Sequence, residues 1–302
     1  MPRTAPLTYT EFYRTPRNRW WKGLVSILVL IAGLLLFSVA LALGATAIDL
    51  LLGSTTTDEL ASGQITMTPA LLLATNLSLI ATAAVAVLLH RYLHRQPVGT
   101  LHSVVGRFRW DWLGRAAVVV VPLFVAYVAV LTLLDSPGPF ALDATAWAFL
   151  AIVLLTTPLQ AASEEYIFRG VVQRAAGSWV SGAVPSLVLG TLVSAVTFSI
   201  AHFATDVWLI AYYLVFAVAM SLLTHATGGL EAAVLVHAAN NFLFFLVTSS
   251  TGMMSEGFDR SAGAGGPIML LPMLFVAAVA LVLVVMARQR GLRHRAAPPA
   301  AA

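Results

Sequence analysis

Residues 145–174 read TAWAFLAIVLLTTPLQAASEEYIFRGVVQR. Apart from Glu164, Glu165, Arg169 and the closing Arg174 the run is uncharged, and it exceeds the roughly 20 apolar residues a helix needs to cross the hydrocarbon of a bilayer. Seven further runs have the same character, at 22–48, 69–90, 115–134, 186–204, 207–225, 229–250 and 267–287. The chain therefore reads as an all-α, polytopic transmembrane helical bundle of about eight spans.

Composition agrees. Of 302 residues 59% are apolar and 10% charged, with a mean hydropathy of +0.88, against about 25% charged in soluble domains. A soluble globular protein, a disordered chain and a nucleic-acid module are excluded. The absence of cysteine removes disulfides, thiolate metal sites and cysteine nucleophiles. Ala40-Leu41-Ala42 resembles a cleavage site, but the first apolar run is too long for a signal peptide, so it is read as a retained span.

Charge placement sets the expected topology. With the N-terminus cytoplasmic, eight spans put Arg3 to Lys22, Arg91 to Arg115, Arg174 and Arg288 to Arg295 on the cytoplasmic side. Arg260 alone faces outward and Arg169 stays in the membrane, while Asp49, Asp58, Glu59, Asp135, Asp143, Asp206, Glu256 and Asp259 fall on the opposite side. That asymmetry is the positive-inside pattern, with both termini cytoplasmic. Residues 1–21 and 288–302 read as cytoplasmic tails, disordered over Met1–Arg19 and Arg290–Ala302. Trp20, Trp21, Trp110 and Trp112 read as an interfacial belt, and His90 and His94, among Arg91 and Arg95, as interfacial anchors. His225 and Glu231 flank Gly228-Gly229 as loop residues.

An ionisable group at membrane depth is a functional candidate by default. In Ser163-Glu164-Glu165-Tyr166-Ile167-Phe168-Arg169-Gly170, Glu165 and Arg169 are four apart in the favourable order and can neutralise each other. Glu164 lies about 100° round the helix, free to face a cavity. In Phe198-Ser199-Ile200-Ala201-His202 the aromatic ring shares a face with the imidazole and can limit its rotamers. In His237-Ala238-Ala239-Asn240-Asn241 an imidazole and a carboxamide share a face across small residues, able to donate to an oxyanion. Each set also has a plain structural use: an ion pair locking helices, an interfacial histidine, or interhelical hydrogen-bonding glue. Together, a carboxylate, two histidines and an amide on three spans make up what hydrolysis needs.

The ordered set Glu-Glu-x-x-x-Arg at 164–169, Phe-x-x-x-His at 198–202 and His-x-x-x-Asn at 237–241 resembles the CPBP family of intramembrane proteases. That family groups CAAX prenyl endopeptidases with bacteriocin-processing and bacteriocin-immunity (Abi) proteins. The resemblance covers residues 145–250, which become a catalytic core, with accessory spans over 22–134 and a last span at 267–287. It implies that Glu164 is the catalytic glutamate, that His202 helps it activate water, and that His237 and Asn241 stabilise the oxyanion. Glu165, Arg169 and Phe198 support them. It further implies a site open to the cytosol and a peptide or membrane-associated protein substrate. The location implied is the cell membrane, with no nucleic-acid partner. The family has been described both with and without a catalytic metal. Asn241 is a poor ligand for Zn2+, so a metal-free, cofactor-free site is the preferred expectation; a metal, if present, falls to Glu164, His202 and His237.

Other intramembrane protease signatures, His-Glu-x-x-His, Gly-x-Gly-Asp and Gly-x-Ser-x-Gly, are missing from the sequence. A non-enzymatic immunity or scaffold protein of the same fold stays open, as does a transporter using paired carboxylates as a proton relay, although no internal repeat supports the latter. One strain remains. A straight helix from Pro185 puts His202 about 25 Å along its axis, deeper than Glu164. Either that helix starts after the Gly-rich 177–190 stretch, or it tilts and Phe203–Asp206 dips to border the cavity.

Overall fold

The computed structural model describes residues 6–15, 18–63, 66–135 and 140–297. Eight helices are long and apolar enough to cross a membrane: α1 (Trp20–Leu52), α2 (Pro69–Leu88), α3 (Trp110–Asp135), α4 (Ala144–Glu165), α5 (Ala183–Ala201), α6 (Val207–Thr227), α7 (Glu231–Ser250) and α8 (Leu270–Gln289). The chain is a multi-pass integral membrane protein built as an all-α bundle. Leu28, Leu36, Leu43 and Val118 stay exposed on α1 and α3, as side chains do where lipid is the solvent.

Helix α4 is central. It packs on α2 and α7, and its continuation through Gln173–Gly177 packs on α5. There Gly177 permits close approach, since an added Cβ would lie 2.9 Å from the Ser186 carbonyl oxygen and 3.0 Å from that of Thr10. Helix α5 begins at Ala183, so the later start does not occur. It ends at His202, and Phe203 takes a left-handed φ of 52°, an uncommon conformation for an aromatic residue. Asp206 then caps α6 through the backbone N–H groups of Trp208 and Leu209, while its other oxygen accepts from Gly263 N–H. These N–H groups, Leu209 foremost, hold its carboxyl below the usual range.

The ends of the chain depart from expectation. Leu7–Thr8 (β1) pairs antiparallel with Arg295–Ala296 (β2), so the two described ends of the chain meet at one end of the bundle. Leu7, Tyr9, Phe12 and Tyr13 are buried. The tails are thus folded over 7–13 and 293–296; residues 1–5 and 298–302 lie outside the described residues. The cause is aromatic. The Arg174 guanidinium lies 3.6 Å from the Tyr9 ring centroid and donates to Thr100 O at 2.5 Å, and Tyr9 OH donates to Leu101 O. Arg174, counted in the sequence among the basic residues that mark one end of the bundle, is fully buried. Tyr13 stacks on His94 at 3.8 Å and its OH meets His90 Nδ1 at 2.9 Å. These histidines are buried props for the N-terminal segment rather than interfacial anchors. Burial, reinforced by the Lys22 and Arg174 charges, pushes the His94 imidazole down to about 3, so it packs uncharged. Trp112 is buried in the core, whereas Trp20, Trp21 and Trp110 are exposed as a belt requires.

Glu231 is the first residue of α7, not a loop residue. Arg109 grips it with Nε on Oε1 at 2.9 Å and Nη2 on Oε2 at 2.6 Å, and Nη1 donates to the Thr227 and Arg293 carbonyls. This buried fork joins the start of α3, the α6–α7 turn at Gly228 (φ 71°) and the chain after α8. Removing one partner of such a pair leaves an uncompensated charge. Arg109→Ala is expected to cost about 3–5 kcal/mol in denaturant unfolding in detergent, and Arg109→Met with Glu231→Leu to recover most of it. An unchanged single variant would show that the fork does not hold this end.

Candidate active site

The Glu-Glu-x-x-x-Arg motif sits where α4 changes geometry, passing into a π-helical turn over Tyr166–Val172. Wider turns of this kind recur at functional sites because they re-aim side chains within a continuous helix. Glu165 and Arg169 keep their contact across the change, Nη1 to Oε1 at 3.0 Å, both fully buried. The same Glu165 oxygen receives His237 Nδ1 of α7 at 2.7 Å. The Arg169 guanidinium also lies 4.5 Å from the Phe198 centroid on α5. One carboxylate, one guanidinium, one imidazole and one aromatic face thus tie three helices together.

Hydrogen-bond logic fixes both imidazoles. A carboxylate paired with arginine only accepts, so His237 Nδ1 carries the hydrogen and its Nε2, in the neutral ring, is a bare acceptor. That Nε2 lies 3.7 Å from Glu164 Oε2. His202 Nδ1 donates to the Phe198 carbonyl at 2.8 Å, which leaves its Nε2 bare as well. Phe198 and Tyr213 sandwich the His202 ring at centroid distances of 4.5 and 3.9 Å, and Phe198 also stands 6.0 Å from His237.

Glu164 is only 5% exposed. Its Oε1 accepts from Gln160 Nε2, while its Oε2 has no hydrogen-bond partner. Gln160 Oε1 accepts from Asn241 Nδ2 at 3.2 Å, Asn241 Oδ1 from Asn240 Nδ2 at 3.1 Å, and Asn240 Oδ1 from Tyr212 OH at 3.2 Å. The four donors point the same way, ending on Glu164. One Asn241 N–H and the free Glu164 oxygen remain for a substrate.

A cavity of about 880 Å3 lies against this group, lined among others by Glu164, His202, Phe203, Tyr212, Asn240 and Asn241. The structure therefore brings Glu164, His202 and Asn241 to one cavity with His237 behind Glu164, and Glu165, Arg169 and Phe198 beneath them. Of the stretch 203–206 expected to border the cavity, Phe203 does so, while Ala204, Thr205 and Asp206 are not among its lining residues. Tyr212 gave no signal in sequence, and Gln160 only the weak one of an amide four residues before Glu164.

The cavity has a definite direction within the bundle. Its lining extends from Glu164 to residues 251, 253 and 256–260, the end of the bundle opposite Arg174 and the β1–β2 sheet. Proximity of Glu164 to Arg174 along α4 does not open the site there, because Tyr166 bonds His102 at 2.5 Å and packs against the Tyr9 cluster, stopping that end. A metal does not fit the residues. Among the described residues no group of three His, Asp or Glu side chains is placed to hold one, whereas a catalytic zinc takes three protein ligands.

Residues 145–243 match the family described as Type II CAAX prenyl endopeptidase Rce1-like, so this part of the chain is a CAAX-protease-like domain of the Rce1/Abi superfamily. The first three spans and α8 lie outside the match. Among curated proteins, the uncharacterized protein YyaK of Bacillus subtilis (strain 168) is 26% identical over 175 residues, 54% of this chain and 56% of YyaK. The chain thus spans about half the length of that relative. No solved structure matches it.

The tautomers are directly measurable. In protein labelled with 15N-histidine, with His202→Ala and His237→Ala used for assignment, both rings are expected to be protonated at Nδ1 when neutral. A neutral ring protonated at Nε2 would contradict the bonding described for that residue.

Proposed function

We propose that the protein is an intramembrane endopeptidase acting on peptides or membrane-associated proteins, with Glu164 as general base. The observation that carries this is the Glu164 oxygen that is buried, lacks a hydrogen-bond partner and stands 3.7 Å from His237 Nε2 beside a cavity. Glu165 also has an oxygen without a hydrogen-bond partner, but it is paired with Arg169 and is not part of the cavity lining, whereas Glu164 lines the cavity with no arginine on it among the described residues. A water that donates its two hydrogens to Glu164 Oε2 and His237 Nε2 points its lone pairs into the cavity. As it attacks the peptide carbonyl carbon, Glu164 takes one proton and returns it to the amide nitrogen when the C–N bond breaks. The charge formed on the carbonyl oxygen is met by the free Asn241 N–H.

This changes two roles suggested by resemblance. His237 is a partner of the base rather than an oxyanion donor, because its N–H is spent on Glu165. His202, with its own N–H on a backbone carbonyl, offers a second acceptor on the cavity wall for a proton in transit. Gln160, Asn240 and Tyr212 act through Glu164 and Asn241 as positioning residues.

The test is cleavage of a peptide library by purified protein. Glu164→Gln, in folded protein, is expected to lose about 10²–10⁴-fold in cleavage, and Asn241→Ala about 10²–10³-fold. His237→Ala is expected to fall with Glu164→Gln, and chelator to leave cleavage unchanged. Full activity in Glu164→Gln removes the proposal; loss with chelator overturns its metal-free form. Separately, Tyr212→Phe is expected to lower kcat severalfold with little change in KM, since it removes the first donor of the chain without touching the cavity's shape.

A further inference from the structure

Among the described residues the cavity lining runs from Glu164 towards one end of the bundle, and charge identifies that end. The arginines and the lysine gather at the β1–β2 end, from Arg14 and Lys22 through Arg91 and Arg107 to Arg288 and Arg295. The end carrying 203–206 and 251–266 has, among the described residues, Arg260 as its single Lys or Arg, against exposed carboxylates at Asp58, Glu59, Asp143, Glu256 and Asp259. The two loops form one rim. Thr205 N–H donates to Arg260 O at 2.9 Å, and Asp206 holds Gly263 N–H at 3.0 Å. Arg260 itself is turned onto its own loop, with Nη1 on the Gly257 and Asp259 carbonyls at 2.9 Å. Glu256, Asp259 and Arg260 all line the cavity.

Basic loops stay in the cytoplasm. We propose that the site is entered from the extracytoplasmic face and takes polypeptide segments that carry basic residues where they leave the membrane on that side. The second half of this statement rests on the peptidase reading; the first does not. Three features support the pair. Glu164 and the rim residues Glu256 and Asp259 line one cavity, whereas Tyr166 and the Tyr9 cluster pack together at the opposite end. The apolar part of the lining, Phe124, Tyr127, Phe244 and Phe245 among others, suits a hydrophobic stretch of chain. A rim of net negative charge concentrates cations ahead of the site, an attraction that salt screens.

The natural lack of cysteine makes access measurable in the full-length protein. Single variants Ser261→Cys on the rim, Thr132→Cys in the cavity wall and Arg290→Cys at the β1–β2 end are exposed to a membrane-impermeant maleimide in intact cells and after permeabilisation. Ser261→Cys and Thr132→Cys are expected to label in intact cells, Arg290→Cys only after permeabilisation. Labelling of Arg290→Cys in intact cells, or protection of Thr132→Cys where Ser261→Cys labels, overturns the access. For the substrate class, purified protein is given peptides with one apolar core flanked by Lys or by Glu. The Lys-flanked peptide is expected to be cleaved about tenfold faster at low salt, with the difference collapsing near ~0.5 M salt. Equal rates at low salt overturn the charge preference. Cleavage of neither peptide overturns the peptidase reading on which that preference rests, while the labelling still decides the access.

Discussion

A carboxylate in hydrocarbon needs a counter-charge, and Glu165 finds two partners at once: Arg169 one turn along its own helix and His237 on α7. Much of the core follows from that contact. The guanidinium, held by Glu165, can rest on Phe198 and so draws α5 against α4. The imidazole, held by the same oxygen, fixes the rotation of α7 and places Asn240 and Asn241 towards Gln160. Charges fully desolvated in this way contribute little net stability, but losing one member leaves another unpaired, so the arrangement specifies a single packing.

Glu164 is the residue that this arrangement leaves over. With Glu165 spending the local positive charge, the neighbouring carboxylate accepts from the Gln160 amide on one oxygen and has no hydrogen-bond partner on the other. The amide chain from Tyr212 keeps that orientation through polarised, unidirectional hydrogen bonds, which reinforce one another in a low-dielectric interior. The left-handed Phe203 lies on the cavity wall next to His202, where a backbone of unfavourable geometry is held by the loop contacts around it.

The far end of the molecule solves a different problem. Three arginine-centred contacts, Arg109 on Glu231, Arg174 on Tyr9 and Arg169 on Glu165, are all buried, yet only the last stands at the site. Arg109 and Arg174 fasten the chain ends and the short turns. The cavity lies towards the opposite end, away from these contacts.

From the sequence, the lipid-soluble bundle of eight helices was legible, because hydrocarbon demands long apolar runs and basic clusters mark their ends. Glu164, Glu165, Arg169, His202, His237 and Asn241 stood out for the same reason, as polar groups at such depth contrast with their neighbours, and Phe198 entered only through its spacing to His202. The mismatch in depth between His202 and Glu164 pointed to 203–206, of which Phe203 lies on the cavity wall. What only the tertiary structure decided were relations between distant residues. Periodicity in α4 cannot register a π turn, since that turn depends on what packs around it. Which nitrogen of His237 carries the hydrogen depends on Glu165, 72 residues away in sequence. The order of the amide chain, the burial of Arg174 under Tyr9 and the direction of the cavity likewise arise from side chains meeting across helices, and no local pattern along the chain encodes those meetings.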